Sequence, residues 1–193
     1  MRVFLAGASG VIGVRLVSLL AKAGHCVGAM TRSPEKVDRL QQLGCEPIVC
    51  DVFDREALDE AVRDFGPDVV MHQLTDLPDD FESVPAFRER NDRIRSEGTR
   101  NLLGAAHAAS TKLFIAQSIA WEQSTETVRR VVMNHEQMVL DARGVVVRYG
   151  QFYGPGTFYT ADPPPPPRIG IESAALRTMT ILEARSGIVV ISE

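Results

Sequence analysis

Gly7-Ala8-Ser9-Gly10-Val11-Ile12-Gly13 sets three glycines at three-residue intervals, directly after the apolar run Val3–Ala6. Val11, Val14, Leu16, Val17 and Leu20 follow with helical spacing. A strand, a glycine turn and a helix N-terminus in that order form the cradle for the pyrophosphate of a dinucleotide. Gly7 permits the tight turn, Gly10 lets the backbone approach the phosphates, and Gly13 lets helix and strand pack closely. Ser9, Val11 and Ile12 complete the expected phosphate-binding set, with turn N–H groups and the helix dipole facing the anion. The second apolar run ends in Thr31-Arg32-Ser33. A binder of NAD carries Asp or Glu there, about 20 residues past the turn, to bond the ribose 2′-hydroxyl. No carboxylate stands at this place, whereas the Arg32 guanidinium could fork onto a 2′-phosphate. The sequence therefore favours NADP(H) over NAD(H); the plain alternative is that Arg32 is an ordinary surface arginine.

These residues need a frame that brings strand ends together. Val3–Ala6, Cys26–Met30, Pro47–Cys50, Val69–Leu74, Lys112–Gln117 and Val145–Tyr149 read as buried strands. Amphipathic stretches alternate with them: Val11–Ala23, Pro34–Leu43, Asp54–Phe65, Ala86–Ala109 (with a break near Gly98) and Thr125–Ala142. Gly24, Gly44, Gly66 and Gly144 stop four of these stretches. Two-sided apolar strands alternating with helices predict an α/β fold, a doubly wound, mainly parallel Rossmann sheet of about seven strands with helices on both faces. Residues 1–150 read as the dinucleotide-binding core. Residues 151–193 read as a short C-terminal segment packed on the same domain: Pro163–Pro167 as a stiff extended connector, Glu172–Arg185 as a helix and Gly187–Ser192 as a last strand.

Composition bounds the partners. With 193 residues the chain suits one α/β domain, and a net charge of −4 gives no electrostatic case for nucleic acid or an anionic membrane. No apolar run reaches the ~20 residues of a membrane span. Glycines interrupt the N-terminal apolar stretch, which argues against a secretion signal. Three cysteines without metal-like spacing fit a reducing, cytoplasmic setting. Arg88, Arg90, Arg93, Arg95 and Arg100 interleave with Glu89, Asp92 and Glu97, and read as a solvated helix face. Asp76, Asp79 and Asp80 form an acidic loop with no His or Cys near, so no metal site is expected.

Further segments resemble the short-chain dehydrogenase/reductase superfamily, in its extended and atypical branch of NAD(P)-dependent epimerases and dehydratases. They are Asp51-Val52, Asp68 to Thr75, Gly98-Thr99-Arg100-Asn101-Leu102-Leu103, and Arg148-Tyr149-Gly150-Gln151-Phe152-Tyr153-Gly154-Pro155-Gly156, with Gln151 for the usual Asn. Together with the glycine turn they span residues 1 to about 160 in family order. The resemblance implies that Asp51 and Val52 contact the adenine and that Gln73, Leu74 and Thr75 line the cofactor ribose. It also implies a serine, matched by Ser118, followed by a Tyr-x-x-x-Lys pair on the next helix. No Tyr-x-x-x-Lys exists anywhere in the chain; Val128 and Val132 fall at the two positions when Glu136 is aligned with the family's glutamate.

The remaining chemistry rests on a short list. Ser118 could orient a carbonyl, and Tyr149 or Tyr153, past the sixth strand, could supply a phenol. The plainer reading of either tyrosine is a packing residue. His135 could be a base or purely structural; His72 ends a buried strand and reads as a core histidine. Trp121 suits an apolar pocket wall. The lobe that binds substrate in the family is short here, which suits a small or hydrophobic substrate, a substrate site completed by a dimer partner, or no substrate at all. Three functions fit: an atypical NADP(H)-dependent oxidoreductase on a small-molecule carbonyl or alcohol, a non-redox isomerase, cyclase or dehydratase, or an NADP(H)-binding regulator of the NmrA-like kind. A homodimer through the long helices is open by the same resemblance.

Overall fold

The structure, a computed structural model, describes residues 1–78, 80–123 and 125–193. Seven strands form one sheet, every neighbouring pair parallel: β1 (Arg2–Ala6), β2 (Cys26–Thr31), β3 (Glu46–Val49), β4 (Val69–His72), β5 (Leu113–Ile119), β6 (Val145–Tyr149) and, last in the chain, the strand Gly187–Ile191. Their order is β3-β2-β1-β4-β5-β6 followed by that last strand. The order reverses at β1, so the crevice at the carboxyl ends of β1 and β4 is the topological switch point where ligands of such sheets bind.

Alternation along the strands sorts the core into two layers. Val3, Leu5, Met71, Ile115, Val145, Val147 and Tyr149 face α1 (Gly13–Lys22) and a C-terminal helix, Ile171–Met179. Phe4, Val70, Phe114, Ala116 and Val146 face α3 (Arg55–Phe65) and the helices after β4 and β5. Leu16, Val17 and Leu20 of α1 are fully buried, each worth about 1.5–3 kcal/mol of burial. Asp54 accepts from Ala57 N–H to start α3, and Gly66 ends it in the left-handed conformation.

The long helical stretch begins as a 3-10 turn (Val84–Phe87) and continues as α4 (Arg88–Arg93), a π turn (Ile94–Gly98) and α5 (Thr99–Ala108). The break expected near Gly98 is thus a widened turn rather than an interruption. A Cβ at Gly98 would lie 3.5 Å from Val52 Cγ1, so the π turn is where this helix meets the β3–α3 connection. Helix α2 (Val37–Gln42) and α6 (Glu126–Asp141) complete the layers, with Thr125 capping α6 through Val128 N–H.

Past β6, β7 (Gln151–Tyr153) pairs in parallel with β8 (Arg168–Gly170); α7 is Ile171–Met179 and β9 is Gly187–Ile191. Helix α7 ends at Met179, six residues short of the expected Arg185, because Thr178, Arg177 and Ile181 carbonyls are taken by tight turns that follow. The proline run is tied down at both ends, Gln151 N–H donating to Pro167 and Arg168 Nη1 to Pro164. All three cysteines are free thiols, and burial pushes Cys45 and Cys50 up to about 11, which disfavours their thiolates.

Candidate functional site

The glycine turn leaves the carboxyl end of β1 and folds back at once. Gly7 sits at φ +89°, and a Cβ there would lie 2.5 Å from the Gln73 carbonyl oxygen. A Cβ at Gly13 would collide with the Gly7 carbonyl. Ala8 N–H donates to Met30 O and Gly10 N–H to Gly7 O, which fixes the turn against β2. Among the described residues the N–H groups of Ser9, Val11 and Ile12 find no backbone acceptor. Unpaired donors at a helix N-terminus, beside a glycine whose missing side chain leaves an approach path, are what a pyrophosphate requires. The residues fit a dinucleotide; Ser9, Gly10, Val11 and Ile12 would hold its phosphates.

The adenosine side lies between the ends of β2, β3 and β4. Ser9 Oγ and Thr31 Oγ1 share a hydrogen bond of 3.1 Å, and Ser33 N–H donates to Thr31 Oγ1. Asp51 accepts from Phe53 N–H through one carboxylate oxygen and remains exposed, while Val52 is buried. Asn101 Nδ2 donates to Val52 O, which explains the Gly98–Asn101 segment as the brace of this wall. Leu74 O accepts from Gln117 Nε2 at 2.9 Å, linking β4 to β5. Thr75 follows in an exposed loop. Gln73 is buried, and neither atom of its side-chain amide has a hydrogen-bond partner among the described residues.

Arg32 does not stand alone. Its Nη1 and Nη2 donate to Asp76, at 3.3 and 3.1 Å, and Arg90 from α4 grips the same carboxylate through Nε and Nη2 at 3.1 and 3.0 Å. Asp76 N–H donates to Asn91 Oδ1. The acidic loop is thereby neutralised at Asp76; Asp79 lies outside the described residues. The arginine-rich face is largely solvated as expected, with Arg88, Arg90, Arg93 and Arg100 exposed, but several of its members also make specific contacts. Arg90 pairs with Asp76, Arg93 stacks on Phe53 at 3.8 Å while bonding Glu97, and Arg95 is half-buried.

The reacting side differs most from expectation. Ser118 is buried and its hydroxyl donates to Glu136 Oε1 at 2.5 Å, so it faces a carboxylate instead of a carbonyl. Glu136 in turn takes a two-point grip from Arg148, Nε at 2.9 Å and Nη2 at 2.6 Å. Burial opposes ionisation of Glu136, but hydrogen bonds from Arg148 and Ser118 outweigh it and hold the carboxyl below its ordinary value. It stays a carboxylate near neutrality and is no acid. Tyr149 is a correction to the sequence reading. It shares the face of Val145 and Val147, packs 5.2 Å from Phe152 and bonds Thr178 Oγ1 at 2.7 Å. Burial drives its phenol above the ordinary tyrosine value, and its hydroxyl is buried and engaged by Thr178, away from the open groove beside α6. Tyr153 donates to Glu193 at 2.9 Å, and that carboxylate raises its pKa.

Val128 and Val132 are buried on α6, at the places of the missing pair. A groove of about 330 Å³ opens beside them, walled by Trp121, Val132, Met133, Glu136 and Arg148. Ser118, Tyr149 and Tyr153 do not line it. Neither histidine reaches it. Leu74 N–H donates to His72 Nδ1, His72 Nε2–H to Thr99 Oγ1 (3.0 Å), the Thr99 hydroxyl to His135 Nδ1 (2.8 Å), and His135 Nε2–H to Gln117 O (2.9 Å). This buried chain joins α5, α6 and the strand ends; desolvation lowers both imidazoles, His72 the more strongly.

Residues 7–144 match the family described as NAD(P)H-binding. The chain is 36% identical over 185 residues to a 3-diazoavenalumate denitrifying reductase of a Streptomyces species, covering 84% of this chain and 60% of that protein. It is 30% identical over 116 residues to a 3-beta-hydroxysteroid dehydrogenase of Mycolicibacterium neoaurum, covering 59% of this chain and 31% of that one. The chain thus spans under two thirds of these relatives' length. A solved UDP-glucose 4-epimerase of Thermus thermophilus in complex with NAD superposes with a TM-score of 0.78 at 19% identity, over 100% of this chain and 78% of the epimerase. At that identity the likeness shows the fold. The chain belongs to the NAD(P)H-binding family. In particular it is a Rossmann-type member whose relatives are reductases and dehydrogenases.

Proposed function

We propose that this chain carries the NADP(H)-binding half of an oxidoreductase that acts on a small or hydrophobic carbonyl or alcohol metabolite. The observation that carries the cofactor choice is the end of β2: no carboxylate for a ribose 2′-hydroxyl, and the Arg32 guanidinium half exposed beside Ser9 and Thr31. When bound, NADPH supplies a hydride to a carbonyl carbon and the carbonyl oxygen takes a proton, giving the alcohol and NADP⁺. The protein's part is binding and orientation. The glycine turn holds the phosphates, and Trp121, Val132 and Met133 offer an apolar wall for substrate. The names of the relatives, among them a ketoreductase and steroid dehydrogenases, support redox chemistry on apolar molecules. Val128 and Val132 cannot relay a proton, so water entering the open groove delivers it.

The second reading is an NADP(H)-binding regulator without turnover. The burial of Tyr149 and the engagement of Ser118 by Glu136 favour it. Calorimetric titration with NADPH, NADP⁺ and NADH, repeated with Arg32→Ala, tests the shared premise. Selective weakening of NADP(H) binding in the variant supports it; an equal effect on NADH refutes the role of Arg32. Loss of NADPH absorbance in the presence of small aromatic ketones or ketosteroids then separates enzyme from regulator.

A further inference from the structure

We infer that Arg90, with Arg32, forms a two-armed receptor for a phosphomonoester dianion, the 2′-phosphate of the adenosine ribose, and that Asp76 is the residue that positions both arms. The inference rests on the NADP(H) reading above and adds a second specificity residue, from a helix 58 positions further along the chain than Arg32. Asp76 is nearly buried (8% of its side chain exposed), while Arg32 and Arg90 keep 51% and 52% of theirs in solvent. One carboxylate between two guanidiniums leaves a net charge of +1. Among the described residues neither arginine has another carboxylate partner.

Geometry prepares both arms. Asp76 takes two N–H groups from each guanidinium, and a guanidinium has five. Three N–H groups of each guanidinium are not used by Asp76, and each side chain is half exposed. Arg90 is braced a second time, its guanidinium stacked 4.6 Å over the Phe87 ring, and Asp76 is fixed through Asn91. Both arms are therefore held before any ligand arrives, which lowers the entropy cost of binding. The place is also right. Arg32 follows Thr31, whose hydroxyl meets Ser9 of the glycine turn, so the cluster stands at the ribose end of the phosphate cradle. A surface salt bridge alone would leave no charge over; here two half-exposed guanidiniums share one carboxylate next to the end of β2.

The test uses adenosine 2′,5′-bisphosphate and adenosine 5′-monophosphate as probes, which differ only in the 2′-phosphate, alongside NADPH and NADH. Binding constants are taken by calorimetry for the wild type, Arg90→Ala, Arg90→Lys and Arg32→Ala. Arg90→Ala is expected to weaken the bisphosphate and NADPH about tenfold or more, with the monophosphate and NADH changed less than about twofold. Arg90→Lys keeps the charge without the fork and recovers part of the loss. Melting curves show that the variants are folded, and the bisphosphate-to-monophosphate ratio is insensitive to a uniform loss of fold. An Arg90→Ala effect that is equal on both probes, or absent, overturns the inference. If Arg32→Ala removes the preference and Arg90→Ala leaves it intact, the NADP(H) reading stands and only the role of Arg90 falls. If the wild type shows no preference for the 2′-phosphate, both fall.

Discussion

Acid should loosen this fold well above the pH at which its carboxylates titrate, and the cause is the buried histidine chain. Leu74 N–H points at His72 Nδ1, so a proton added there would set two donors face to face in the core. His135 already donates from Nε2 to Gln117 O and accepts at Nδ1 from Thr99. Both histidines are buried and both are lowered from the ordinary value of 6.5. The sign follows directly. As pH falls through 6.5 the unfolded chain binds more protons than the folded chain, so stability is complete above that pH and drains away below it. For a histidine kept fully neutral in the fold, lowering the pH from 7.5 to 5.5 costs about 1.4 kcal/mol, so the pair costs at most about 2.7 kcal/mol. Urea unfolding monitored by circular dichroism at pH 7.5, 6.5 and 5.5 measures it. His72→Gln and His135→Gln lower the baseline stability by breaking the chain, yet each should remove part of the pH-dependent drop, His72→Gln the larger part. Stability that is flat across this range, or a drop that both variants retain in full, would refute the reasoning.

Other outcomes follow from the same contacts. Gly10→Ala should fold normally, since its Cβ meets only the Gly7 carbonyl at 3.3 Å, but should weaken NADPH binding about tenfold by blocking the approach of the phosphates, as read by calorimetry. Gly7→Ala should instead cost more than about 2 kcal/mol in urea unfolding, from the left-handed φ and the collision with Gln73 O. Tyr149→Phe should cost about 1 kcal/mol for the lost bond to Thr178 and leave nucleotide affinity unchanged; a large effect on turnover alone would restore the tyrosine as a proton donor. Glu136→Ala should cost about 2 kcal/mol, because Arg148 and Ser118 both lose their partner, with the loss smaller below the pH at which the carboxyl protonates.

The frame and the phosphate cradle were legible because each is written locally. Glycines at 7, 10 and 13 follow a strand and open a helix, and period-two and period-3.6 patterns separate strands from helices without any long-range knowledge. The reacting side was partly legible and was misread at Tyr149. It is in phase with Val145 and Val147, which fixes its face, and Ser118 is in phase with Phe114 and Ala116, which turns it toward α6. Strand parity carried that signal. Arg90 was hidden for a different reason. Its helix spacing reads as solvated, and only the fold brings it to Asp76 and Arg32, 14 and 58 positions away in the sequence. Thr99, recognised as part of a motif, proved to be the hinge of a two-histidine chain that no spacing rule predicts.

The most direct measurement is the ratio of NADPH to NADH affinity of the unmodified protein, taken by calorimetry at low and at physiological salt. The account predicts NADPH binding at least about tenfold tighter than NADH at low salt, with the preference shrinking as salt screens the half-exposed arginines. Equal affinities at both salt concentrations, a preference for NADH, or no binding of either would contradict it.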